Sequence, residues 1–274
     1  VDNKLKSYLE QKVRWVWEET LKIHKIAPET RVASSLSDIE IFVALYYGKI
    51  LKYQPEDQYW EGRDRFIVSK GHGSISMYPI LADLGFFDKE ELKKVCKSGS
   101  FLGGIPDPVI PGYETVNGSL GHGLGVACGM ALALKRKKSD NQVFVMVGDG
   151  ELYEGSNWEA IMFAAHHQLD NLNVIVDNNR ICMLGYTENI LDHGQLGNKF
   201  NEFGWDSKEI DGHDLEAVYE VLSEMKGALN GKPKVLIANT LKGKGVPGLE
   251  NQKLSHIMTV KPEQVDELTG GGEQ

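Results

Sequence analysis

Three cysteines in 274 residues, Cys96, Cys128 and Cys182, are too few and too scattered for a disulfide framework or a paired-cysteine zinc site. No uninterrupted apolar run approaches the roughly 20 residues of a membrane span. The opening VDNKLKSYLEQKVRWVWEE is charged throughout and has no secretory apolar core. Basic side chains are outnumbered, 30 against 39, for a formal charge of −9. That argues against a nucleic-acid backbone as the main partner, because neutralising phosphates needs clustered Lys and Arg. With 41% apolar and 25% charged residues, collagen-like and wholly disordered chains are also excluded. The expectation is a cytoplasmic globular protein that binds neither membrane nor nucleic acid. Glycine, by contrast, is plentiful: 30 residues, many in clusters at 71/73, 118–129, 148/150 and 243–248. Such clusters beside apolar runs bring backbone close to something, as a phosphate-bearing ligand requires.

Helical spacing predicts an opening helix over Leu5 to Ile26 and a second over Ile39 to Leu51, with Ser37 and Asp38 as N-cap candidates. A short strand over Arg65 to Ser69 runs into Gly71-His72-Gly73, and a helix over Ile75 to Leu84 follows. Residues 97–118 hold five glycines and three prolines and read as an extended loop. Beyond them the pattern is regular: helix 123–137, strand 142–147 (QVFVMV), helix 154–168, strand 172–176 (LNVIV), helix 214–230 and strand 234–239 (KVLIAN). Continuous apolar strands alternating with helices predict an α/β fold, a parallel sheet flanked by helices on both faces. Residues 1–260 are expected to form this domain and 261–274, with three successive glycines, a frayed tail.

The chemistry is expected where strands end. QVFVMV runs into Gly148-Asp149-Gly150, and LNVIV ends in Asp177-Asn178-Asn179. If these strands are parallel neighbours joined by a right-handed crossover, both turns lie at the carboxyl edge of one sheet, and Asp149 faces Asn179. A carboxylate, an amide oxygen and a main-chain carbonyl there would form a hard oxygen site suited to Mg²⁺ or Ca²⁺. Either turn alone is an ordinary one. What singles them out is the pairing at a one-crossover interval, with VNGSLGHGLG (116–125) offering free N–H groups at a helix N-terminus just upstream.

Gly148-Asp149-Gly150 followed some thirty residues later by Asn178-Asn179 resembles the thiamine diphosphate fingerprint. SKGHGSISMYPILADLGFF (69–87), NGSLGHGLGVACGMALALK (117–135), GDGELYEGSNWEAIMFAAHHQLDNLNVIVDNN (148–179) and LKGKGVPGLENQKLSHIM (241–258) resemble, in order, the amino-terminal, diphosphate-binding part of transketolases. The resemblance implies thiamine diphosphate as coenzyme, held by Mg²⁺ on Asp149, Asn179 and the Ile181 carbonyl. It implies Gly148 and Gly150 against the diphosphate and Gly118 and Leu120 at the aminopyrimidine. His72 and His256 would contact the diphosphate or the reacting end of the substrate. Glu154 would reach across a subunit interface, with Glu159 a further candidate there. The implied reaction moves a two-carbon ketol unit from a ketose to an aldose. The family's polypeptide continues into a pyrimidine-binding and a third domain, which the residues after 258 are too few to encode. A separate subunit carrying them would complete the site, in a hetero-oligomer of two plus two.

Two departures bear on the substrate. The family's Gly-His-Pro before its first Ser-Ser-Leu is Thr30-Arg31-Val32 here, and a later one is Gly104-Ile105-Pro106. The lost histidines contact sugar hydroxyls, so Arg31 is a substrate candidate and a modified or activated sugar is expected. Other readings stay open: a deoxyxylulose phosphate synthase-like or 2-oxo acid dehydrogenase alpha-like enzyme, or a non-catalytic scaffold subunit. GKGVPG (243–248) satisfies G-x-G-x-x-G, but Pro247 and the lack of a following helix make a dinucleotide site a distant alternative. His122 reads equally as a loop residue or a coenzyme contact, and His193 and His213 fall in loops. Lys242 and Lys244 read as solvated lysines or as added charge near the phosphates.

Overall fold

The computed structural model describes residues 1–183 and 185–270. Its centre is a five-stranded, wholly parallel sheet of β1 (Arg65–Val68), β2 (Val143–Gly148), β3 (Leu172–Asn178), β6 (Asp206–Asp211) and β7 (Lys234–Asn239), in the spatial order β1-β2-β3-β7-β6. A two-residue hairpin, β4 (Ile181–Cys182) with β5 (Gly185–Tyr186), follows β3.

Alternate residues of the buried strands feed two separate cores, as the pleat demands. Phe66, Val68, Phe144, Met146, Ile175 and Leu236 pack against α1 (Asn3–Ile26), α2 (Val32–Leu36), α3 (Ile39–Tyr46), α4 (Met77–Asp83) and α9 (Leu215–Gly227). Ile67, Val145, Val147, Val174, Val176 and Ile237 pack against α5 (Gly123–Arg136), α6 (Gly155–His166) and α8 (Leu196–Glu202). The sheet is therefore covered on both faces, as its apolar strands require. A short α7 (Thr187–Ile190) lies in the long connection after β5.

Several elements differ from expectation. Helix α3 stops at Tyr46, five residues early, because Lys49 adopts a left-handed φ of 57° and the Leu51 N–H turns back to the Leu45 carbonyl at 2.9 Å. Neither Ser37 nor Asp38 caps it; both side chains turn inward to the site described below. The edge strand β6 was not foreseen. Nor was α10 (Pro262–Thr269), which packs on α1 through buried Val265 and a Lys25–Asp266 ion pair within the stretch expected to be a tail. Gly271 and Gly272 of that stretch lie outside the described residues. No helix among the described residues is long and apolar enough to cross a membrane.

Candidate active site

Strands β2 and β3 are hydrogen-bonded neighbours with Gly148 opposite Asp177. The turns that follow them consequently meet. Asp149 Oδ1 accepts from the Gly150 N–H at 2.7 Å and Oδ2 from the Arg180 N–H at 2.6 Å. Asn179 Oδ1 accepts from the Ile181 N–H at 3.1 Å, while its Nδ2 donates to Asp177 Oδ2 at 2.7 Å. The Ile181 carbonyl accepts from Lys242 Nζ at 3.0 Å. Asp149, Asn179 and Ile181 line one cavity of about 370 Å³, together with His72, Gly118, Leu120, Gly148, Gly150 and His256. The sequence-read residues are thus brought together from the ends of β1, β2, β3 and β7 and from the loop before α5. Two stand apart. Glu154 is exposed at the start of α6, packed near Gly121, as is Glu159 farther along the helix. Arg31 precedes α2 at the rim, near enough to His72 and His256 to act on both electrostatically. His122 is exposed at the start of α5, its Nδ1 3.1 Å from Ser119 Oγ.

Glycine is needed here for two close approaches. Gly71 has φ +64°, and a Cβ on it would lie 2.6 Å from the Gly118 Cα. A Cβ on Gly150 would lie 2.8 Å from that of Cys182.

Beneath the cavity lies a charged network whose members are far apart in sequence. Lys70 Nζ bridges Asp38 at 2.6 Å and Asp177 at 2.5 Å, and reaches the Ser34 carbonyl at 3.3 Å. Asp177 also accepts from Ser37 Oγ at 3.0 Å and from Thr240 Oγ1. Burial alone would raise the Asp177 carboxyl; Lys70 and these hydrogen bonds override it and hold it at about 2. Asp38, with less support, is pushed up by burial. Asp149 rises to about 6, from burial first and the nearby Asp177 charge second. Burial and the Lys70 charge bring Lys242 down to about 8. Burial, with the surrounding cations, lowers His72 and takes His256 to about 3, so both rings are neutral near pH 7.

A further buried carboxylate, Glu151, ties three loops together. It accepts from Ser69 Oγ, from the Gly121 N–H at 2.9 Å and from the Gly148 N–H at 3.2 Å. Lys70, Glu151 and His193 were not singled out from the sequence. The signal that could have found Lys70 and Glu151 was their place beside the glycine turns at the ends of β1 and β2.

A domain model described as "Transketolase, thiamine diphosphate binding domain" matches residues 30–270. The chain belongs to the transketolase family. It is 38% identical over 260 residues to an apulose-4-phosphate transketolase subunit from Actinobacillus succinogenes, covering 94% of this chain and 93% of that one. It is 38% identical over 233 residues to the 6-deoxy-6-sulfo-D-fructose transketolase subunit SqwG of a Clostridium species, covering 85% and 84%. The crystal structure of transketolase from Campylobacter jejuni superposes with a TM-score of 0.87 at 28% identity, over 98% of this chain but only 43% of that polypeptide. This transketolase chain therefore corresponds to an amino-terminal, diphosphate-binding subunit, and spans less than half the length of the solved enzyme.

Proposed function

We propose that the chain binds thiamine diphosphate through a divalent cation and, with a separate pyrimidine-domain subunit, transfers a two-carbon ketol group from a ketose to an aldose. The observation that supports this most directly is the donor set around the cavity: the Asp149 carboxylate, the Asn179 amide oxygen and the Ile181 carbonyl. Three oxygens, only one of them charged, suit Mg²⁺, which shares its shell with phosphate oxygens, and would also accept Ca²⁺. Gly148 and Gly150 leave the backbone open to the diphosphate, and the Lys70 and Lys242 ammonium groups supply positive charge beside it. Gly118 and Leu120 would meet the aminopyrimidine. Thiamine diphosphate, when bound, would supply the carbon nucleophile, and this chain would hold and orient it. His72 and His256, edge to face with ring centroids 5.1 Å apart, are neutral and can exchange hydrogen bonds with substrate hydroxyls. Ser34 Oγ, 3.3 Å from His256 Nδ1, orients the second ring. Glu154, exposed, would reach a neighbouring subunit in an assembly of two plus two.

The rim favours a modified or activated sugar. Arg31 stands where the family has a histidine, and Ile105, 42% exposed, lies against Gly118. Relatives named for apulose 4-phosphate and 6-deoxy-6-sulfofructose are in keeping with that choice. Titrating the chain and its partner with thiamine diphosphate, with and without Mg²⁺, tests the coenzyme; cation-dependent binding is the expected result. Turnover of xylulose 5-phosphate with ribose 5-phosphate at ordinary transketolase rates would refute the substrate class.

A further inference from the structure

The segment 187–195 lies against the Asp149 turn, fastened there by the His193 imidazole and the Tyr153 hydroxyl. His193 is only 9% exposed, and its Nε2 lies 2.8 Å from the Asp149 carbonyl oxygen. A carbonyl only accepts, so Nε2 bears the proton. The ring stacks on Tyr153, centroids 4.5 Å apart and planes 21° from parallel. Tyr153 Oη in turn donates to the Leu191 carbonyl at 2.8 Å. Asp149 makes five hydrogen bonds: its N–H to the Asp177 carbonyl, its carbonyl from Leu152 N–H and His193, and its carboxylate from the Gly150 and Arg180 N–H groups. Four of the five are main-chain partners. Among the described residues His193 is the one side chain that fixes the Asp149 peptide, and through it the direction of the carboxylate.

We infer that His193 is a positioning residue for the cation and coenzyme, holding the Asp149 carboxylate toward Asn179 and the Tyr153–Ile190 wall over the cavity. This rests on Asp149 being a cation ligand. Groups that orient metal ligands typically change affinity by about 10–100-fold when removed.

The test compares the full chain and its partner with His193→Ala, His193→Gln and Tyr153→Phe. Thiamine diphosphate and Mg²⁺ dissociation constants are read by calorimetry, alongside kcat at saturating coenzyme and the thermal midpoint without coenzyme. His193→Ala should raise both constants about tenfold, with the loss appearing in affinity rather than in kcat. His193→Gln, whose amide can still donate to the carbonyl, should recover most of it, and Tyr153→Phe, which keeps the stack, should fall between. Unchanged constants in His193→Ala overturn the inference. So does an equal loss in His193→Gln that tracks the thermal midpoint, which marks a merely structural role. If the unmodified protein takes up no thiamine diphosphate, the ligand reading itself fails and this one with it, an outcome seen before any variant is made.

Discussion

The floor and the mouth of the cavity are built on opposite principles. At the floor, Asp149, Asp177 and Lys70 are at most 8% exposed and find their partners within this chain. At the mouth, Leu120, Met183 and Ile190, with Ile257 beside His256, are between 40% and 65% exposed. A buried charge without partners is costly, so the floor must be completed by the chain that contains it. Exposed apolar side chains gathered around one cleft mark a surface that something else covers. The contrast fits the proposed division, in which this chain would seat the diphosphate and a companion would close the reacting end.

The largest effect expected from breaking this contrast is at Lys70. Lys70→Met leaves Asp38 and Asp177 buried together without their cation, a change that costs about 3–5 kcal/mol in comparable pairs. Denaturant unfolding should show it, whereas truncating Ile257 to alanine at the mouth should move stability by no more than about 0.5 kcal/mol. Equal curves for Lys70→Met and the unmodified chain would show that the floor does not depend on this ammonium.

Acid separates Asp177 from the buried histidines. Asp177, held at about 2, contributes stability that is intact above its ordinary value of 3.8 and fades only as pH falls toward 2. His24, on α1 and away from the cavity, behaves differently. Its Nε2 accepts from the Val260 N–H at 3.1 Å, and burial lowers its pKa to about 4. The unfolded chain therefore binds the proton first, and stability falls as pH drops from 6.5 to 4, by on the order of 3 kcal/mol. Unfolding curves across that window should be less steep in His24→Gln, by His24's share, with His72 and His256, also lowered by burial, keeping theirs. An unchanged slope would show that His24 is not among the groups that set it.

How much of this was legible in the sequence follows the same division. Strands β2, β3 and β7 are apolar on both faces because both are covered, so their ends, and with them Asp149 and Asn179, could be located. Strand β6, DSKEID, pairs on one side only and carries four charged residues in six, so nothing in its pattern marked it. Asp38, Lys70 and Asp177 meet across more than a hundred residues, and no spacing rule reports such a contact. Asp38 read instead as a local device, a helix cap, and Lys70 was not singled out. The family resemblance supplied what periodicity did not, by grouping the 69–87 and 241–258 segments with the 148–179 segment. It said nothing of His193, whose role depends on how one connection folds back over a turn.

Among the floor residues, Asp149 is the sharpest probe of coenzyme binding as distinct from folding. Asp149→Asn retains the shape and an acceptor for one N–H but removes the charge. Losing one charged interaction worth about 3 kcal/mol corresponds to roughly 100-fold weaker uptake of thiamine diphosphate with Mg²⁺. Chelating the cation should impose a similar loss on the unmodified chain and add little in the variant. A variant that still binds with full cation dependence would move the ligand set elsewhere.

The smallest expected effect lies at the mouth. Val116 is 75% exposed next to the Gly118 loop, so its side chain contributes little to this chain's own packing. Val116→Asp should leave unfolding unchanged yet weaken, by about tenfold, association with the companion protein, the scale of one apolar interface contact with a charge forced into it. Sedimentation of the mixed proteins reads the association directly. Should association hold while coenzyme turnover falls, the apolar surface around the cleft would be meeting the sugar rather than a second protein, and the separation between a self-sufficient floor and a shared mouth would have to be drawn deeper in the cavity.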